Sequence, residues 1–294
     1  MNKSLLRGHL MALFVIVVWS NTFIVSKVLL ESFQPIELIF FRFVLGFLAL
    51  LAANPHPLKG TTKKQELMMA AAGLTGVALY YLLENFALTF TLASNVGIIL
   101  SAAPFFIAIL GLLLPGEKEP LGLPFFLGFA FAMAGIILIT LVSSSLDLNP
   151  LGNVLPLLAA CSWAVYSQIT KRVGAWGYSL LLTTRRIMLY GLLWMLPVLP
   201  FSGFRLGADR LLHPVNLLCL LFLGLVATAL CFSLWNYVVG VLGPVASSVY
   251  MYLSPGITFL SSVLILHEPV TVQALAGMGL ILLGLGISQG KKKA

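Results

Sequence analysis

VVWSNTFIVSK at residues 17–27 and CSWAVYSQITK at residues 161–171 are the two stretches that decide the fold. Each sets a tryptophan eight residues before a lysine, and each is followed fifteen residues later by an arginine. The first copy is Trp19, Lys27 and Arg42; the second is Trp163, Lys171 and Arg186, at a constant offset of 144. Further along, the offset is 151. It relates Gly73 to Gly224, Asn85 to Asn236, Pro104 to Pro255, Glu117 to Glu268, Gly128 to Gly279 and Gly135 to Gly286. The two offsets differ by seven residues, and the longer loop around Phe201–Pro214 takes up the difference. Nine matches with a single insertion, placed in a loop, describe an internal duplication.

The material between these markers is built for lipid. Of the 294 residues, 60% are hydrophobic and 9% charged, and the mean hydropathy is +1.05. A soluble domain carries roughly 25% charged residues, so lipid must be the solvent for most side chains. Ten apolar stretches lie near 9–30, 36–53, 67–90, 94–114, 124–142, 151–172, 179–200, 215–239, 244–265 and 271–288. ESFQPIE, NPHPLKG, PGEKEP, SSSLDLNP and FSGFRLGADRLLHP supply turn chemistry between them. The run from His9 to Leu30 is too long for a signal-peptide core, and no small-x-small site follows it, so it reads as a first span.

The net charge of +8 does not point to nucleic acid, because the bases sit in short tracts between apolar runs. With the N-terminus in the cytoplasm, inner loops and tails hold Lys3, Arg7, Lys59, Lys63, Lys64, Lys118, Lys171, Arg172, Lys291, Lys292 and Lys293. Outer loops hold only Arg205 and Arg210. That asymmetry predicts both termini inside. Each repeat has five spans, so the second must enter the membrane the other way up. The expected fold is therefore all-α and integral to the membrane. It has ten transmembrane helices in two inverted five-helix repeats, 1–142 and 151–288, and a basic cytoplasmic tail, 289–294. Inverted repeats offer two similar-energy states, one open to each side, which suits a transporter.

Four segments point to a family: the two tryptophan stretches above, SAAPFFIAILGLLLPGEKEP at 101–120 and YLSPGITFLSSVLILHEPVT at 252–271. Each of the latter two has a mid-helix proline, then a glutamate at the helix end, then a glycine-rich final span. In these the chain resembles the ten-helix, EamA-type branch of the drug/metabolite transporter superfamily, over nearly its whole length. Within that branch it is similar to the YddG group of aromatic amino-acid exporters. The resemblance implies export of amino acids or related metabolites across the cell inner membrane.

Glu84 is the only acid well inside a span, in the outer third of the third stretch. An intramembrane charge costs roughly 2.5–3.5 kcal/mol on insertion scales, so it should face a cavity or a partner. Tyr80 and Tyr81 share its helical face and Asn85 adds an amide beside it. A carboxylate among phenolic rings could hold an ammonium group, or could fix helix packing. Its repeat mate is Trp235, so the charge breaks the duplication. Trp19 and Trp163 fall near mid-span, where tryptophan is uncommon; they line a cavity or pack helices, with Thr22 and Tyr166 one turn away. The candidate substrate-binding set is thus Trp19, Tyr80, Tyr81, Glu84, Asn85, Trp163 and Tyr166.

Pro104 and Pro255 remove the backbone bonds to Leu100 and Met251 and bend their helices. With Gly256 they form a candidate hinge or gate; a static bend is the alternative. Arg42 and Arg186 could bind phosphate, but lie close to helix ends, where long side chains snorkel or pair with neighbouring groups. Glu117 and Glu268 read as helix-end anchors, and Gly277, Gly279, Gly284, Gly286, Gly128 and Gly135 as small faces for close helix contact. Cys161, Cys219 and Cys231 lie in apolar runs, odd in number and without metal spacing. No HExxH motif, clustered intramembrane aspartates or mid-depth Ser–His pair points to a membrane enzyme, cofactor or metal. A phosphorylated-metabolite or nucleotide-sugar exchanger is the competing transporter reading, and would need several cavity cations. The expected partners are a small-molecule substrate and the bilayer, with no nucleic acid, and the chain is expected to act as a monomer.

Overall fold

Backbone in lipid must satisfy its own hydrogen bonds, and the apolar stretches do so as helices. The structure, a computed structural model, describes residues 3–113, 122–145, 149–242 and 249–288. Glu117, Lys118 and the tail 289–294 lie outside the described residues. The first repeat comprises α1 (Lys3–Leu29) and α2 (Pro35–Ala53), α3 (Lys63–Phe90) and α4 (Ala93–Leu113), and α5 (Leu123–Ser145). The second comprises α6 (Leu151–Gly174), α7 (Leu180–Met195), α8 (214–242), α9 (249–266) and α10 (Val272–Ser288).

Local chemistry sets the helix ends. Gln34 and Glu37 form a capping box with Pro35 in the first turn of α2. Thr62 and Gln65 form another at the start of α3. The helix α7 ends at Met195, short of the 200 expected, because Pro197 has no amide hydrogen with which to continue the helical ladder. The packing is inside-out relative to a soluble protein. Phe126, Leu127, Phe131, Ile137 and Leu141 are exposed on α5, whereas Ser20, Ser26, Glu84, Asn85, Thr228 and Thr258 are buried.

Two pairs of repeat mates touch, and both run antiparallel. A methyl group at Gly128 of α5 would sit 2.3 Å from the Gly284 carbonyl oxygen of α10, and one at Gly135 would sit 2.5 Å from that of Gly277. Residue numbers rise along one helix as they fall along the other. The same holds for α4 and α9, where Gly97 meets the Thr258 side chain and Ala93 lies at Glu268. Mates related by an antiparallel contact are inverted copies. The glycine pattern differs in part from expectation: Gly277 and Gly284 make the close contacts, but Gly279 and Gly286 face open space. The repeat matches Gly279 to Gly128 in sequence, yet the two sit in unlike surroundings, so the duplication is not exact at this helix pair.

The halves also exchange contacts between α2 and α8, and between α7 and α3. A methyl group at Gly73 would meet the Gly191 nitrogen and Ile187 oxygen of α7, and one at Gly224 would meet the Arg42 oxygen and Leu45 of α2. Both α3 and α8 contain a π-helical segment, Leu74–Leu79 and Phe222–Leu230. Each receives a side-chain donor from the other repeat. The Ser162 hydroxyl donates to the Thr75 oxygen at 2.7 Å, and the Trp19 indole donates to the Ala227 oxygen at 3.0 Å. Each repeat thus satisfies the irregular helix of the other.

The seven-residue insertion is pinned by Glu37, which is 1% exposed. Its carboxylate accepts from Arg210 Nη1 at 3.1 Å and from the Arg205 backbone at 2.6 Å. Arg210 also stacks over Phe33, 5.1 Å from the ring centre. Replacing Glu37 with Gln keeps the shape and removes the charge. It is expected to lower stability by about 1–3 kcal/mol, read as a drop in thermal melting in detergent; an unchanged melting curve would show that the contact contributes nothing.

Candidate functional site

One cavity opens where α1, α2, α3, α4, α6, α8 and α9 converge. It contains about 790 Å³ of empty space, its open mouth included, and its wall comprises Ile16, Trp19, Thr22, Phe23, Arg42, Tyr80, Tyr81, Glu84, Gly97, Leu100, Ser101, Ala103, Pro104, Trp163, Phe232, Met251 and Ser254. Apolar and aromatic walls with a few polar groups are the usual make-up of a small-molecule site.

The aromatic wall is continuous. Tyr80 packs on Trp163 with ring centres 5.0 Å apart and on Tyr81 at 4.8 Å. Across from them, Trp19 packs on Phe232 at 5.5 Å and on Trp235 at 5.3 Å. Trp235, the repeat mate of Glu84, therefore supports the very tryptophan that faces the carboxylate's cavity. Five members of the expected set line the cavity: Trp19, Tyr80, Tyr81, Glu84 and Trp163. The other two stand behind it. Tyr166 packs on Trp163 at 4.8 Å with its ring against Gly76, where a methyl group would sit 2.1 Å from it. Asn85 donates to the Tyr81 carbonyl at 2.8 Å, locking α3 beneath the site.

The prolines sit at real breaks. In α4 the helix is interrupted at Ser101 and Ala102 and resumes at Ala103. In α9 a 3-10 segment, Val249–Leu253, gives way to α-helix at Ser254, which puts Pro255 in a first turn. Leu100, Ser101 and Pro104 on one helix, and Met251 and Ser254 on the other, line the cavity. The irregular backbone borders an internal space, the one setting in which it is tolerated at membrane depth. Gly256 lies next to Pro255 with no atom within 4 Å of an added methyl group.

Of the two alternatives expected of it, Arg42 pairs and does not snorkel: it is 1% exposed. Its Nε donates to Thr228 Oγ1 at 2.9 Å and its Nη2 to the Tyr81 hydroxyl at 3.4 Å, with the guanidinium 4.4 Å from the Tyr81 ring centre. Arg186, its repeat mate, instead donates to the Leu58 oxygen at 3.1 Å, and Arg185 to the oxygens of Asn54 and His56. Among the described residues, Arg42 is the one cation on the cavity wall. Glu268 behaves as the expected anchor, accepting from the Ala93 and Ser94 backbone nitrogens at 2.6 and 3.1 Å at the start of α4.

Two inverted helical halves around one aromatic cavity define a multi-pass membrane carrier, not an enzyme. The sequence pattern of the EamA-like transporter family matches residues 6–141 and again 150–288, and the chain belongs to that family. Similar curated proteins include a "Probable amino-acid metabolite efflux pump" of Escherichia coli, 29% identical over 96% of this chain and 94% of that protein. A "Probable terminal-alkyne amino-acid exporter" of Streptantibioticus cattleyicolor is 26% identical over 92% and 89%. An "Uncharacterized transporter" of Archaeoglobus fulgidus is 27% identical over 89% and 90%. A solved crystal structure with 19% identity shares the fold at a TM-score of 0.65, covering 96% of each chain.

Proposed function

We propose that this transporter exports amino acids, aromatic ones among them, or closely related metabolites, across the cell inner membrane by alternating access, with both termini in the cytoplasm. The observation that carries the reading is the cavity itself, whose wall combines the rings of Trp19, Tyr80, Tyr81, Trp163 and Phe232 with the Glu84 carboxylate. Rings offer an apolar surface tolerant of several side chains, while the carboxylate attracts an ammonium group. The names of the Escherichia and Streptantibioticus relatives support the same class of cargo. The competing phosphorylated-metabolite reading needs several cavity cations, and Arg185 and Arg186 are held by loop carbonyls instead. Cells making the protein and fed phenylalanine-containing dipeptides should hold less internal phenylalanine than cells without it; equal internal levels would count against export.

Pro104, Pro255 and Gly256 act in this reading as the points about which α4 and α9 bend during the cycle. Replacing both prolines with alanine removes the rings that keep each helix from running on through its break at the cavity edge. The double variant is expected to slow turnover severalfold while changing half-saturation little. Wild-type turnover in liposomes would leave the bends as static features.

A further inference from the structure

The cavity holds a second unsatisfied charge besides the carboxylate. Among the described residues, Glu84 Oε1 and Arg42 Nη1 are both fully buried and both without a hydrogen-bond partner. Both residues line the same cavity. Tyr80 bonds the carboxylate and the two opposite charges attract each other, but each group keeps one buried atom without a partner, and such an atom calls for a complement. Neither is loose. Thr228 and Tyr81 fix the guanidinium through Nε and Nη2, leaving Nη1 as its unpaired nitrogen. Tyr81, which the guanidinium covers at 4.4 Å, lies one turn before Glu84 on α3, a rise of about 4.5 Å. Both groups border the one cavity, so a single small amphoteric molecule held there can meet both.

We infer that Arg42 and Glu84 form a zwitterion clamp: Arg42 Nη1 donates to the substrate carboxylate and Glu84 Oε1 accepts from its ammonium group. This rests on the reading of the cavity as the substrate site, and it narrows the cargo to molecules bearing both groups. Amines lacking a carboxylate and acids lacking an amine each leave one buried charge unpaired and are rejected, because a site built to bond a group discriminates against the analogue without it. The duplication supports a ligand role over a scaffold role. The mates of these residues, Arg186 and Trp235, build no such pair: one binds the Leu58 oxygen and the other packs on Trp19.

The test is counterflow of labelled phenylalanine into liposomes containing the purified chain and preloaded with unlabelled phenylalanine. Phenethylamine, which lacks the carboxylate, and 3-phenylpropionate, which lacks the amine, serve as competitors. In the wild type each should compete about tenfold or more weakly than phenylalanine, corresponding to one lost charged hydrogen bond. In Arg42→Gln the advantage of phenylalanine over phenethylamine should vanish while its advantage over 3-phenylpropionate persists; Glu84→Gln should do the reverse. Arg42→Lys keeps the charge without the fork and should restore part of the discrimination. Phenethylamine matching phenylalanine in the wild type, a comparison that needs no variant, would overturn the clamp and leave amino-acid export standing. Failure of any amino acid to exchange would overturn the export reading and the clamp with it.

Discussion

Glu84→Gln is expected to cut amino-acid counterflow about tenfold to hundredfold at limiting substrate, with the melting temperature in detergent nearly unchanged. The size follows from a charged hydrogen bond worth about 1.5–3 kcal/mol and a tenfold change for every 1.4 kcal/mol. Stability should hold because Glu84 Oε1 has no hydrogen-bond partner to lose, and the amide oxygen of glutamine can still accept from the Tyr80 hydroxyl that bonds the carboxylate. Two other roles give different results on the same variant. A packing group would lower the melting temperature and affect all substrates alike. A proton carrier would lose dependence on a pH gradient while solute exchange survived. Wild-type behaviour in melting, exchange and gradient-driven flux would remove Glu84 from the site.

Gly128→Val is expected to be the most damaging single change to the fold. Even a methyl group there would lie 2.3 Å from the Gly284 oxygen and 2.9 Å from the Ser288 nitrogen. Both are backbone atoms, so relief requires α5 and α10 to separate. Overpacking of this kind costs roughly 1–3 kcal/mol and often more, and close glycine contact is a main source of helix association in lipid. Gly279→Val supplies the control. It is the sequence mate of Gly128 but has no atom within 4 Å of an added methyl group. Size-exclusion profiles should show a monodisperse peak for the Gly279 variant and loss or broadening for the Gly128 variant. Equal behaviour would contradict the antiparallel α5–α10 contact.

That pair of glycines also marks where the sequence stops being legible. Lipid imposes a simple rule on composition, so ten spans, two halves and their inversion follow from apolar run lengths, turn residues and the nine matched positions. The cavity wall was readable wherever a residue violated that rule: Glu84 by its charge, Trp19 and Trp163 by their depth, Pro104 by its missing amide. Arg42 was hidden because its distance from a helix end allows snorkelling as readily as burial, and only the placement of Thr228 on α8 decides the matter. The π-helical segments left no trace in apolar periodicity. They depend on cross-repeat donors, Ser162 and Trp19, that meet Thr75 and Ala227 only in the folded chain. Which glycines touch depends likewise on the rotation of each helix about its own axis, which composition does not encode.

Counterflow in liposomes of purified wild-type protein, run against a panel of labelled solutes, tests the central claim most directly. The account predicts that preloaded vesicles accumulate labelled phenylalanine and other free amino acids, and that sugar phosphates and nucleotide sugars neither accumulate nor compete, since Arg42 is the one cation on the described cavity wall. Accumulation of a nucleotide sugar or sugar phosphate with no exchange of any amino acid would contradict it.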